Sequence, residues 1–151
     1  MFRDIQAGHL ILALSALAWA VAQGLKVLIV YIMEGKFDRE RIFGGGGMPS
    51  SHSAFVCACA ASIARLCGTG SPYFALATAM ALIVMYDASN VRQAAGKQAR
   101  VLNYMMEHWD DKPEFFMENL KEMLGQTPLQ VFFGALLGIV LGWCIPILMS
   151  R

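Results

Sequence analysis

The residues best suited to chemistry are Gly44-Gly45-Gly46-Gly47-Met48-Pro49-Ser50-Ser51-His52-Ser53, where a glycine run and a proline turn lead into two hydroxyls and a histidine. Consecutive glycines admit positive φ and let a ligand approach the backbone closely. A helix opening at Ser50 or Ser51 would turn unpaired N–H groups and the positive end of its dipole toward an anion. Phosphate is the natural guest, and His52 in the first turn is placed to hand a proton to a leaving oxygen. A bare glycine run or an isolated histidine would be an ordinary flexible loop or an interfacial side chain. Their combination before an apolar stretch points to Gly47, Ser50 and Ser51 as phosphate-binding and His52 as catalytic.

Two further groups could complete such a site. Lys26 stands deep in an apolar run, where a charge either snorkels to the interface or faces a polar interior. Gln23 almost one turn earlier suggests a polar stripe on which Lys26 neutralises phosphate. Asp87-Ala88-Ser89-Asn90-Val91-Arg92 opens a polar stretch that reads as a helix through Asn103. At helical spacing Arg92, Gly96, Ala99 and Asn103 share one face, while Asp87, Asn90, Ala94 and Gln98 share another. Arg92 could clamp two phosphate oxygens, and Asp87 could orient Arg92 or His52 as a second catalytic group. The bland alternative is a solvated helix drawn to anionic lipid by Arg92, Lys97 and Arg100. One carboxylate near the loop gives little support for a Mg²⁺ site, and no metal is expected.

The elements that position these groups follow from composition. The chain has 151 residues, 57% of them hydrophobic and 15% charged, with a mean hydropathy of +0.51. That lies outside the usual soluble range and makes an integral membrane protein the expected class, with a single domain over 1–151. The formal net charge of +1 and the lack of basic runs argue against nucleic acid as a partner. Segments 5–25, 42–64, 66–86 and 123–150 lack Asp, Glu, Lys and Arg, and each is long enough to cross a hydrocarbon core of about 30 Å. Four spans near 8–32, 51–67, 71–88 and 128–149 are expected, the second being the shortest, with Ser51, Pro72 and Pro128 at helix starts. Arg3 before small residues such as Ala18, Ala20 and Ala22 also fits a signal peptide. The apolar run continues to Ile32 without a cleavage context, so a retained span is expected.

Eight Lys and Arg fall on one side of the four spans (Lys36, Arg39, Arg41, Arg92, Lys97, Arg100, Lys112 and Lys121) and three on the other (Arg3, Arg65 and Arg151). The excess marks the cytoplasmic side, where all the polar motifs then lie. Residues 104–124 mix charge with Met105, Trp109, Phe115 and Leu120 around Pro113, as an interfacial amphipathic helix would; a lid over the site is the alternative. Gly134, Gly138 and Gly142 repeat every four residues, a close-packing stripe either within the bundle or between protomers of a homo-oligomer. Cys57, Cys59, Cys67 and Cys144 lack metal-ligand spacing and read as small apolar residues. The expected fold class is all-α, a membrane-embedded bundle of about four helices with a juxtamembrane amphipathic helix.

Gly46-Gly47-Met48-Pro49-Ser50-Ser51-His52-Ser53-Ala54, Tyr86 to Arg92, Ala95-Gly96-Lys97-Gln98-Ala99 and Leu102-Asn103 together resemble the divergent branch related to type-2 phosphatidic acid phosphatases, acid phosphatases and vanadium haloperoxidases. Ala22-Gln23-Gly24-Leu25-Lys26-Val27 and Lys121 to Pro128 fit as well, so the likeness spans nearly the whole chain. It implies a metal-independent lipid-phosphate or lipid-diphosphate phosphatase without a cofactor, acting on a phosphorylated membrane lipid. In the parent superfamily a lysine and arginines hold phosphate, a Pro-Ser-Gly-His motif binds it and supplies the acid, and a second histidine attacks phosphorus. Pro49-Ser50-Ser51-His52 matches the middle motif with Ser51 in place of glycine. If Arg92 is the later arginine, Gln98 stands where the attacking histidine would be. Gln126 stands where the divergent branch often has a histidine, and Gln130 where an acidic residue is common. His9 is expected on the opposite side and His108 in the amphipathic segment, so His52 has no evident second histidine. A non-catalytic binder or transporter of phosphorylated lipid is the alternative function.

Overall fold

The computed structural model describes residues 2–34, 47–108, 120 and 125–149. These form α1 (Phe2–Glu34), α2 (Ser51–Cys67), α3 (Pro72–Tyr86), a π-helical segment (Asp87–Val91), α4 (Arg92–Glu107) and α5 (Pro128–Met149). Gly44 to Gly46 and most of the stretch read as an amphipathic helix over 104–124 lie outside the described residues. The all-α expectation stands.

Helix starts follow local chemistry. Ser50 caps α2, its Oγ accepting the Ser53 N–H at 3.2 Å. Ser71 caps α3 in the same way through the N–H of Tyr73, with Pro72 in the first turn, where its missing N–H costs nothing. At α5, Thr127 Oγ1 accepts the Gln130 N–H at 3.3 Å and Gln130 Oε1 accepts the Thr127 N–H at 3.0 Å. This reciprocal capping box explains the residue types at both positions.

α2 is the central helix, packed by α1, α3 and α5. Its buried side chains are small: Ser51, Ser53, Ala54, Cys57, Ala58, Ala60, Ala61 and Ser62. Ala18 and Ala22 of α1 meet Ala54 and Ala58, with Leu137 and Leu141 of α5 closing the cluster. Small residues let backbones approach, which is how helices bind one another where lipid removes the hydrophobic drive. A Cβ built on Gly134 would fall on the Ser50 carbonyl oxygen. One on Gly138 would meet Ala54 O and lie 2.9 Å from Ala58 N, and one on Gly142 would meet Ala58 O. Ser62 Oγ donates to Gly142 O at 3.2 Å. The glycine stripe is therefore matched, turn by turn, to α2 of the same chain.

The outward faces are apolar. Leu12 is 60% exposed, Leu76 67%, Ile83 69% and Phe132 60%, a pattern that suits contact with hydrocarbon. Among the described residues two stretches are long and apolar enough to cross a membrane, Ala7–Ile32 and Pro72–Glu107; Ser51–Cys67 and Pro128–Cys144 are shorter apolar helices. The helix of the third expected span runs on through the π segment into α4 without a break, so the polar helix expected through Asn103 is its direct extension.

Candidate functional site

The second half of α1 carries Lys26 into the bundle. It is 1% exposed and is the largest fully buried side chain among the described residues. A lysine is retained in an apolar bundle only where it has polar company or a function, because the lost hydration is costly. Its stem runs beneath Gly47, where a Cβ would stand 2.9 Å from Lys26 Cγ and 3.1 Å from Cδ. Gly47 also has φ +98°, a conformation L side chains rarely adopt. Both reasons for glycine coincide at one residue, so the loop is fitted onto the lysine. Gly47→Ala should lower stability by about 1 kcal/mol or more from backbone strain alone and push Lys26 out of place. Thermal unfolding in detergent checks the first effect and phosphate-lipid binding the second.

From Gly47 the chain turns through Met48 and Pro49 into the α2 cap. Ser50 N–H donates to Gln130 O of α5 at 3.0 Å, which ties the loop to the bundle. Ser50 Oγ accepts from the N–H of Ser53 and, at 2.9 Å, from its hydroxyl. With both lone pairs engaged, what Ser50 retains for an anion is its O–H. Ser50 and Ser51 are buried, whereas His52, in the first turn of α2, is exposed. The charges of Arg92, Lys26 and Asp87 bear on His52, so α1 and the junction of the π segment with α4 lie on the His52 side of the bundle.

The π segment sets the third wall. In an α-helix, positions five apart point about 140° away from each other, and the sequence spacing placed Asp87 and Arg92 on different faces. The wider i→i+5 turn corrects this: the Arg92 N–H bonds Asp87 O, and Arg92 Nε donates to Asp87 Oδ2 at 2.7 Å. π-turns recur at functional sites because they re-aim side chains in this way. Both partners are well exposed, so the pair adds at most about 1 kcal/mol of stability. Its effect is to fix the direction in which the guanidinium points.

Gln126, which by resemblance stands where a histidine is common, takes a structural place in the fold together with its neighbours. The Gln126 N–H donates to Ala88 O within the π segment at 3.0 Å, and its side chain is buried. A Cβ on Gly125 would press against the backbone of Gln93, 2.6 Å from its nitrogen. Further along α4, the Asn103 side-chain amide donates to Leu120 O at 2.8 Å and accepts the Leu120 N–H at 2.9 Å. Leu120, Gly125 and Gln126 thus meet Asn103, Gln93 and Ala88 in antiparallel order, and the Gly-Gln-Thr-Pro turn is delivered onto the π segment. Asn103→Leu should remove both bonds, a loss of about 1–3 kcal/mol. Faster amide exchange at Leu120 and Gln126, with α1 and α2 unchanged, is the expected readout.

The other histidines lie elsewhere. His9 precedes Lys26 by 17 residues on α1, about 25 Å along the helix. His108 follows α4, where its Nδ1 contacts Tyr104 O at 2.9 Å and its ring packs on Tyr104. Among the described residues no three His, Cys, Asp or Glu side chains gather to hold a metal ion.

A family model described as the divergent PAP2 family matches residues 7–141. A relative from Bacillus subtilis (strain 168), called "Uncharacterized membrane protein YuiD", is 41% identical over 140 residues, covering 85% of this chain and 89% of that protein. No solved structure matches.

Proposed function

Because the chain belongs to the divergent PAP2 family, we propose that it is a membrane-embedded lipid-phosphate phosphatase-like protein whose phosphate site is built by Lys26, Gly47, Ser50, Ser51 and Arg92 around His52. The observation that carries this reading is the burial of Lys26 against Gly47, in the loop that leads into the N-terminus of α2. A buried ammonium, an oriented guanidinium and helix N–H groups are the elements that stabilise a phosphoryl group as charge builds on its oxygens. Histidine exchanges protons in the physiological range, so His52 serves as acid to the leaving oxygen or, in a rearranged site, as the nucleophile. Asp87 acts through Arg92. The site faces the cytoplasm, on the side rich in Lys and Arg, at one end of four membrane-crossing helices.

A second reading, a binder or carrier of phosphorylated lipid without turnover, is favoured by the distance of His9 and His108 from His52. Phosphate release from phosphatidic acid, phosphatidylglycerophosphate or polyprenyl diphosphate in vesicles separates the two. Turnover by the purified chain, reduced about 10²-fold or more in His52→Ala, supports the enzyme. Lipid binding in both proteins with release in neither supports the carrier, and no preference for phosphate-bearing lipid sinks both.

A further inference from the structure

A groove of about 400 Å³ lies beside His52, lined by Ala16 and Trp19 of α1, Phe55 and Val56 of α2, and Val84 of α3. Its volume falls within the range of small-ligand sites, and His52 is the polar member of its wall. The register of the three helices fixes where it leads. On α1, Trp19 precedes Lys26 by seven residues, about 10 Å along the axis and within about 20° of the same side. On α2, Val56 lies one turn beyond His52, about 6 Å further from the helix start. On α3, Val84 comes three residues before Asp87, about 5 Å away from the polar end. Every wall thus carries its apolar residues toward the middle of the bundle and its polar residues at the same end. The groove is the inward continuation of the candidate phosphate site, with His52 at the junction.

We infer that this groove holds the first part of a hydrocarbon chain of the lipid whose phosphate lies at His52, so that Trp19, Phe55 and Val84 select substrate by its chain. The inference rests on the phosphate-site reading. A cradle at the polar end and an apolar groove leading away from it match the two halves of one amphiphile. A chain that passes from bilayer hydrocarbon into the groove gains little from the hydrophobic effect, so the groove selects by its fit to the chain, while the phosphate is held by the cradle at the polar end. Ala16 and Trp19 stand on an exposed face, so the groove opens toward the surrounding lipid, and the chain enters sideways from the bilayer.

The test uses the full chain in phosphatidylcholine vesicles with a phosphatidic acid probe carrying a diazirine on the upper part of one acyl chain. Phosphatidylcholine with the same chain serves as the neutral probe. Labelling at Trp19, Phe55 or Val84 should be about tenfold stronger with the phosphatidic acid probe, a difference of about 1.4 kcal/mol. Ala16→Phe and, from the opposite wall, Val84→Phe should each abolish that labelling and leave binding of glycerol 3-phosphate unchanged. Equal labelling by both probes, with glycerol 3-phosphate still bound in a Lys26-dependent way, overturns the chain groove and leaves the phosphate site standing. Phosphatidic acid labelling that survives both filling substitutions also overturns it. Absence of any Lys26-dependent phosphate binding overturns the phosphate site and this inference together.

Discussion

Lys26→Met should weaken binding of phosphatidic acid about 10²-fold without unfolding the protein. Met keeps the length and apolar stem that run beneath Gly47 and removes only the charge. Removing one partner of a buried polar interaction is destabilising, by up to about 3–5 kcal/mol for an ion pair, so the melting temperature should fall while the protein still folds. Truncating one partner of a desolvated charge pair costs about 2–5 kcal/mol of affinity, and each 1.4 kcal/mol is a factor of about ten. Lys26→Arg should recover little, because the wider guanidinium cannot follow the ammonium under the loop. Titration of vesicles of defined phosphatidic acid content, read beside a thermal melt of each variant, separates lost binding from lost fold. Unchanged affinity in a folded Lys26→Met protein would mean that Lys26 is a structural residue.

Gly138→Leu is expected to be the most damaging single change in the bundle. Its first side-chain carbon would collide with the Ala54 carbonyl and crowd the Ala58 nitrogen, both on α2 backbone that cannot rotate away. Overpacking a close contact costs about 1–3 kcal/mol even when side chains can yield; here α2 and α5 must move apart, so at least about 3 kcal/mol is expected. Separation would also pull at the Ser50 N–H bond to Gln130 O and so loosen the loop over Lys26. Gly24→Ala is the control, since nothing lies within 4 Å of its Cβ. Replacing a helical glycine with alanine should raise stability by about 0.5–1 kcal/mol. Fluorescence-detected size exclusion after a temperature series reads both, with early aggregation of Gly138→Leu and a small gain for Gly24→Ala.

What the sequence disclosed and what it concealed differ by range of interaction. Helix starts are local, so those at Ser51, Pro72 and Pro128 are legible from neighbours a few residues away, whereas the reciprocal capping of Thr127 and Gln130 emerges only in the fold. The glycine repeat announced close packing, yet only the fold shows that Ser50, Ala54 and Ala58 fill it from within the chain. The sequence marks Lys26 and Gly47 separately as phosphate-binding, one as a charge within an apolar span and the other as part of the glycine loop. Their contact crosses twenty intervening residues and leaves no periodic trace. Asp87 and Arg92 were assigned to different faces because nothing in Asp-Ala-Ser-Asn-Val distinguishes a π-turn from an α-turn. The i→i+5 bond that reverses the assignment accompanies the docking of Gln126 on Ala88, an interaction some forty residues away. The clasp of Asn103 on Leu120 is hidden for the same reason.

The central claim is that Lys26 reaches a lipid phosphate beside His52. Solid-state NMR on protein labelled with ¹⁵N at lysine Nζ, in vesicles containing phosphatidic acid, measures the proximity of that nitrogen to lipid phosphorus directly. A ¹⁵N–³¹P dipolar coupling that disappears in Lys26→Met and weakens in His52→Ala is the predicted result. A coupling spectrum identical in the wild type and Lys26→Met would contradict it.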